Sequence, residues 1–416
     1  MKKILSIISM IIIIACISCG KENNTTPSDD NFTTTLNIKK ITNLNDDFIL
    51  GMDISSLSSL ELSGVKFYDF DGQEKSLFAV LKQAGINYIR IRVWNNPYDK
   101  DGNGYGGGNC DLDNMIKLGK EATSFGMKVL IDFHYSDFWA DPGKQKTPKE
   151  WSDYSIEEKT LALYQFTKSS LERAKSEQID VGMVQIGNET NGSICEETEW
   201  DNMSQLFNAG SRAVREIFPD AKVVLHFTNP EREGLFDYYA SQLNTYNVDY
   251  DVFATSYYPY WHGTLSNLSN VLSSVANTYN KKVMVAETSY AYTGDDTDFS
   301  TNQITNNSDV QKDYPFSEQG QADHIYNLVN TILNQTTNGI GVFYWEGAWI
   351  SVGGKSWNEN HVLWERYGSG WASSFSAEYD PDDAGRYYGG SGVDNQALFD
   401  SKGHPLESLK VFKLIK

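Results

Sequence analysis

Gly182-Met183-Val184-Gln185-Ile186-Gly187-Asn188-Glu189-Thr190 is an apolar run that stops on a polar triplet. Such a run reads as a buried strand, with a carboxylate placed where the strand gives way to a loop. The same pattern returns in Val283-Met284-Val285-Ala286-Glu287-Thr288-Ser289-Tyr290. Working outward from these two, strand-length apolar runs fall at 48–55, 86–94, 127–135, 183–190, 222–228, 252–259, 282–290 and 340–347. Amphipathic stretches lie between them, among them 113–124, 156–176, 203–218 and 319–334. Strand–helix alternation of this kind predicts an α/β fold, a (β/α)8 TIM barrel forming one catalytic domain over 46–416. Near-continuous apolar strands suit a parallel sheet covered on both faces.

Catalysis in such barrels sits at the C-terminal ends of the strands. Polar and aromatic residues gather there: Asp53, Arg92-Val93-Trp94, Asp132-Phe133-His134-Tyr135, Asn188-Glu189, Tyr257-Tyr258-Pro259, Glu287 and Tyr344-Trp345-Glu346. Cleaving a glycosidic bond needs two carboxyl groups, one to give a proton and one to attack or to activate water. Glu189 and Glu287, each on a strand end, are the pair to expect. A structural ion pair at the rim is the plain alternative.

Composition narrows the substrate. The net charge of −20 argues against a nucleic-acid partner, whose phosphates need basic patches, and against an acidic polysaccharide. The chain holds 10 Trp and 24 Tyr, which suits a groove where neutral sugar rings stack. The N-terminus reads as a targeting segment: Met1-Lys2-Lys3, an apolar run to Ile14, then Ser18 before Cys19. The reading is a lipoprotein signal over 1–18, lipid on Cys19 as the membrane anchor, and a flexible tether over 19–45 rich in Asn, Thr, Ser and Asp. It predicts an exported, outer-membrane-anchored protein on the cell surface or the periplasmic side, and a monomer. Export permits a Cys110–Cys195 disulfide without requiring one. No Cys/His spacing suits zinc.

With the motifs laid out, the chain resembles glycoside hydrolase family 53, the endo-β-1,4-galactanases of a retaining (β/α)8 clan. The resemblance rests on Gly51-Met52-Asp53-Ile54-Ser55, Ile89-Arg90-Ile91-Arg92-Val93-Trp94, the run from Asp132 to Pro142, Gln185 to Glu189, Ser256 to Gly263, Ala286 to Tyr290 and Asp394 to Asp400. It implies hydrolysis of β-1,4-galactosidic bonds in pectic (arabino)galactan, with Glu189 as general acid/base and Glu287 as nucleophile. By the same resemblance Asn188 should meet the sugar 2-OH, Tyr258 or Tyr257 the nucleophile, His134 the sugar or the acid, and Trp345 the floor under the reacting ring. Asp53, Trp94 and Trp371 are further substrate-binding candidates. Arg92 is expected to keep Glu287 ionised, because a nearby cation favours the charged form. Asp132 and Glu346 read as structural. The alternatives are a glycan-binding lipoprotein without activity and an endo-hydrolase of another neutral β-1,4-glycan.

After the seventh strand, Asp296-Thr297-Asp298-Phe299-Ser300-Thr301-Asn302 alternates oxygen-bearing side chains, as a calcium loop does. The resemblance adds Ser391 and Asp394 to Asp296, Asp298, Ser300 and Asn302 as ligands of one structural calcium. No organic cofactor is expected.

Overall fold

A computed structural model describes residues 33–354 and 356–416. The signal segment and Cys19 lie outside the described residues. The chain divides into two units, Met1–Thr34 and Thr35–Lys416, and the second carries the fold. Its strands are β1 (Ile49–Asp53), β2 (Tyr88–Val93), β3 (Lys128–Phe133), β4 (Val181–Ile186), β5 (Lys222–Phe227), β6 (Val252–Ser256), β7 (Lys282–Glu287) and β8 (Gly339–Tyr344). They pair in parallel, in sequence order, and close when β8 returns to β1. Each expected run overlaps one of these strands, six of them containing it whole, so the TIM barrel stands. The runs overshoot the strands because the chain stays apolar as it enters the rim. Trp94, His134, Tyr258 and Trp345 therefore sit just past β2, β3, β6 and β8.

Alternation along the strands explains what lies where. Ile49, Tyr88, Leu130, Met183, Val224, Val252, Met284 and Phe343 fill the barrel interior. Their neighbours Leu50, Ile89, Ile131, Val184 and Val223 belong to the larger outer core beneath the helices. The helices Leu112–Ser124, Ile156–Ser176, Trp200–Ile217 and Glu318–Asn334 match the four expected stretches. A Cβ on Gly51 would fall 2.2 Å from Phe343 Cδ1, so only glycine lets that ring enter the barrel.

One layer above this apolar plug, the inward side turns polar. Arg90, Asp132, Gln185, His226 and Ser256 each follow an inward apolar residue by two positions and are buried. A register shift between β6 and β7 sets Ser256 opposite Glu287, which aims the glutamate into the same layer.

One expectation changes here, and the open pairing of Cys110 with Cys195 is answered. The segment read as tether is bound to the second unit from Thr35 onward. Thr35 N donates to Glu407 Oε2, Asn37 N to Gln319 Oε1, and Ile41, which is buried, donates its N–H to Ile415 O. Its polar composition concealed an edge segment anchored through backbone groups. Cys110 and Cys195 are both buried free thiols, directed at the Ser55 and Tyr135 carbonyls, so no disulfide forms.

Candidate active site

Glu287 ends β7 with 6% of its surface exposed. Arg90 Nη1 lies 2.8 Å from its Oε1, and the Tyr258 hydroxyl donates to its Oε2 at 3.0 Å. Arg90 is itself held by Asp53 at 3.0 Å and Asp132 at 2.8 Å. Burial pushes the Glu287 carboxyl up, while Arg90 and Tyr258 pull it back toward the charged form.

Glu189 follows β4 through a tight turn. Gly187 takes φ 85° and Glu189 itself φ 48°. A left-handed glutamate costs on the order of 1 kcal/mol, and strain of this kind gathers at functional positions. Burial among protein atoms, then the charge of Glu287, push the Glu189 carboxyl up to about 8. Ser256 Oγ lies 2.5 Å from its Oε1. Of the coupled pair, Glu287 has the cation and the phenol, so Glu287 ionises first and Glu189 keeps its proton. A proton donor and an anionic attacker thus share one site.

Both glutamates open into a cleft of about 820 Å³, which Asn188, Tyr258, Trp345 and Trp371 also line. Trp261, Phe299, Trp357 and Tyr387 line it too while remaining largely exposed. Exposed aromatic faces around a polar floor suit flat, hydroxyl-rich rings.

Several sequence expectations are relocated. Arg92 does not touch Glu287; its Nη1 meets Glu346 Oε1 at 2.5 Å, and its guanidinium stacks 4.3 Å from the Trp139 ring. Arg90 and Arg92 share the inward face, and Arg92 sits one layer too high. Asp53 is fully buried, receiving Ser55 at 2.6 Å and Arg90, and has no face toward the cleft. Trp94 is fully buried and donates Nε1–H to His134 Nδ1 at 3.0 Å. His134 borders the cleft, but its Nδ1 also accepts from Ala140 N and its Nε2 meets Asp132 at 3.1 Å, so neither nitrogen is left for a sugar. Tyr257 points away, donating to Gly263 O and stacking on His324. Asn188 lines the cleft, accepting from Arg90 and donating to Ala140 O. Glu346 and Asp132 pair with Arg92 and Arg90, as structural carboxylates should.

Sequence reasoning missed Arg90, Gln185 and His226. Each is the inward residue one step above an apolar one, so counting by two from Tyr88, Met183 and Val224 finds them. Phe299 lies in the loop after β7, Trp357 opens the helix Trp357–Tyr367 and Tyr387 closes the one-turn helix Ala384–Tyr387, and none carried such a signal.

Asp296, Asp298 and Asp394 converge, with ligand oxygens all within 4.8 Å of one another. Asp298 is pushed up to about 8 by burial and by Asp394, and Asp394 to about 6, chiefly by burial. Asp394 Oδ1 and Asn302 Oδ1 are buried and without a hydrogen-bond partner. Crowded acids beside orphaned oxygens fit a hard cation. Ser300 and Ser391 stand beside the cluster: Ser300 N and Ser391 N both donate to Asp298, while Ser300 Oγ accepts from Gly390 N.

Comparison with known proteins places this geometry. A match to glycosyl hydrolase family 53 spans residues 49–412. The endo-beta-1,4-galactanase of Bacillus subtilis (strain 168) is 58% identical over 377 residues, 90% of this chain and 88% of that protein. The arabinogalactan endo-beta-1,4-galactanase of Cellvibrio japonicus (strain Ueda107) is 34% identical over 350 residues, 80% of this chain and 88% of that protein. Among solved structures, the Ignisphaera aggregans GH53 catalytic domain superposes with TM-score 0.80 at 36% identity, covering 91% of this chain and 99% of its own.

Proposed function

The chain belongs to glycosyl hydrolase family 53 and is an endo-β-1,4-galactanase; we propose that it works by retaining double displacement, with Glu189 as acid/base and Glu287 as nucleophile. The observation that carries this reading is the division of labour in one cleft: Arg90 and Tyr258 on Glu287, and a proton-holding environment on Glu189. In the first step Glu189 protonates the leaving glycosidic oxygen as a Glu287 oxygen bonds to the anomeric carbon. In the second, the Glu189 carboxylate takes a proton from water. The water oxygen replaces Glu287 at the anomeric carbon, and Glu189 ends protonated again. Asn188 is offered for the 2-OH, and Trp345 and Trp371 for ring faces. The neutral galactan backbone agrees with a protein of net charge −20.

A calcium ion belongs to the same proposal. Asp296, Asp298 and Asp394 would hold it, helped by Asn302 and by the chain at Ser300 and Ser391. A bound cation would neutralise the cluster and join the loops after β7 and β8. Export and an anchor through lipid on Cys19 rest on the N-terminal sequence, and the proposal takes the protein as a monomer. Metabolic labelling with a fatty-acid analogue, abolished in Cys19→Ala, tests the anchor.

Full-length protein should release galacto-oligosaccharides from linear β-1,4-galactan, and Glu287→Gln should lower kcat by about 10⁴-fold or more. A Glu287→Gln variant of near-parental rate would remove Glu287 from its role. Products from another β-1,4-glycan alone would remove the substrate.

A further inference from the structure

Behind the acid lies a closed chain of buried polar groups whose hydrogen positions can be worked out. It starts at Arg90, which can only donate. Arg90 Nη2 lies 2.9 Å from Asn188 Oδ1, and Asn188 Nδ2 lies 2.8 Å from the Ala140 carbonyl. The Asn188 amide can therefore face only one way, with Oδ1 toward His226. His226 Nδ1 is 2.9 Å from that oxygen. Two acceptors at this distance would repel, so Nδ1 carries the hydrogen. The other close neighbour of Nδ1 is Gln185 Nε2 at 3.1 Å, whose two hydrogens have the Gly187 carbonyl at 3.0 Å and Asn188 Oδ1 at 3.3 Å.

His226 is fully buried, and burial with Arg90 nearby keeps the ring neutral. A neutral ring protonated on Nδ1 has a bare Nε2. Ser256 Oγ is 3.0 Å from Nε2 and must donate its single hydrogen there. Toward Glu189, 2.5 Å on its other side, the serine can then only accept. A serine facing a carboxyl alone would donate to it and favour the anion. The histidine behind reverses that choice.

We infer that His226 is a positioning residue for the acid: it draws the Ser256 hydroxyl away from Glu189, so that Glu189 is the donor in its own hydrogen bond and holds its proton. When Glu189 passes that proton to the leaving oxygen, the Ser256 hydroxyl can turn to the new anion. His226 Nε2 then loses its donor, which makes re-protonation by the incoming water favourable. The other charged or titratable groups facing Glu189 are Glu287 from β7, Asp141 from the loop after β3, Tyr258 just past β6 and Arg90 from β2; those facing His226 are Arg90, Asp132 and His134. None of them supplies an acceptor for the serine hydroxyl.

The inference rests on Glu189 being the acid, and the tests separate the two. Ring-¹⁵N-labelled full-length protein at pH 7, with the His226 signals assigned by their loss in His226→Gln, should show a protonated Nδ1 and an unprotonated Nε2. A protonated Nε2 overturns the inference with no variant needing to be active. In His226→Leu the serine is freed to donate to Glu189. The alkaline limb of kcat/KM should then move down by roughly half to one pH unit, the worth of one hydrogen bond. His226→Gln, whose amide oxygen can accept, should restore most of that shift. A limb that stays in place in His226→Leu, with only the rate reduced, makes His226 a packing residue. Undiminished activity in Glu189→Gln would instead overturn the reading of the acid.

Discussion

The rim of the barrel crowds carboxylates in two places and relieves them in opposite ways. At and beneath the cleft floor Asp53, Asp132, Glu287 and Glu346 are interleaved with Arg90 and Arg92, and every member is buried. In the loops after β7 and β8, Asp296, Asp298 and Asp394 crowd equally, yet no Lys or Arg among the described residues forms an ion pair with them. Their hydrogen bonds come from backbone N–H groups and from Thr297. A fixed guanidinium suits the first region, because Glu287 must be an anion at the moment it attacks. The second region needs charge relief only to keep two loops together, and under the calcium proposal that relief comes from solution.

Removing the fixed cation should have the largest effect. Arg90→Met leaves Asp53, Asp132 and Glu287 without their shared partner, which should cost about 3–5 kcal/mol of stability by urea unfolding. The lost cation also raises the Glu287 pKa, so the acidic limb of kcat/KM should move to higher pH. We expect activity to fall by about 10³-fold. Arg92→Met should cost comparable stability through Glu346 while leaving that acidic limb in place. Equal movement of the limb in both variants would break the assignment of Arg90 to Glu287.

This pair of arginines marks where the sequence stops being legible. The barrel could be read because eight apolar runs each had to be buried on two faces, and the glutamates because they closed two such runs. Which arginine meets Glu287 depends on layer, and Arg90 and Arg92 share one parity, so alternation along β2 does not tell them apart. Alternation does separate Tyr258 from its neighbour: Tyr258 reaches Glu287, while Tyr257 turns to Gly263 O. Trp94 and Asp53 stand at strand ends like site residues, but Phe138 and Trp139 from the loop after β3 pack on Trp94, and Ser55, Arg90 and Arg92 enclose Asp53. The aromatic walls come from Phe299 in a loop and from Trp357 and Tyr387 at the ends of short helices beyond the repeating strand–helix pattern, where no period sets their course.

Within the cleft, the next effect is on pH. Glu189 must be protonated to act, and its carboxyl is pushed up to about 8. Galactan hydrolysis, as kcat/KM, should therefore hold on the acidic side of that value and fall as pH rises through it, by about tenfold per unit beyond. A profile flat to pH 10 would mean that the cleft does not retain the proton. The same shift acts on folding with a defined sign. A carboxyl raised in the folded state binds more protons there than in the unfolded chain, so it withdraws stability as pH rises between the two pKa values.

That sign gives the smallest effect and the sharpest test of the contrast between the regions. Asp298 and Asp394 are raised to about 8 and about 6. Chelator-treated protein should lose melting temperature as pH climbs from roughly 4, the ordinary carboxylate range, toward 8. Calcium should cancel that slope, because the ion replaces the protons, and at 100-fold over its dissociation constant it should add about 2.7 kcal/mol. For a domain of this size that amounts to a few degrees. Asp298→Ala should abolish the calcium response while retaining the Arg90-dependent acidic limb of the rate profile. If chelator instead moved that limb and left melting unchanged, the cation would belong to the chemistry, and the division between a fixed charge for reaction and a removable charge for structure would be wrong.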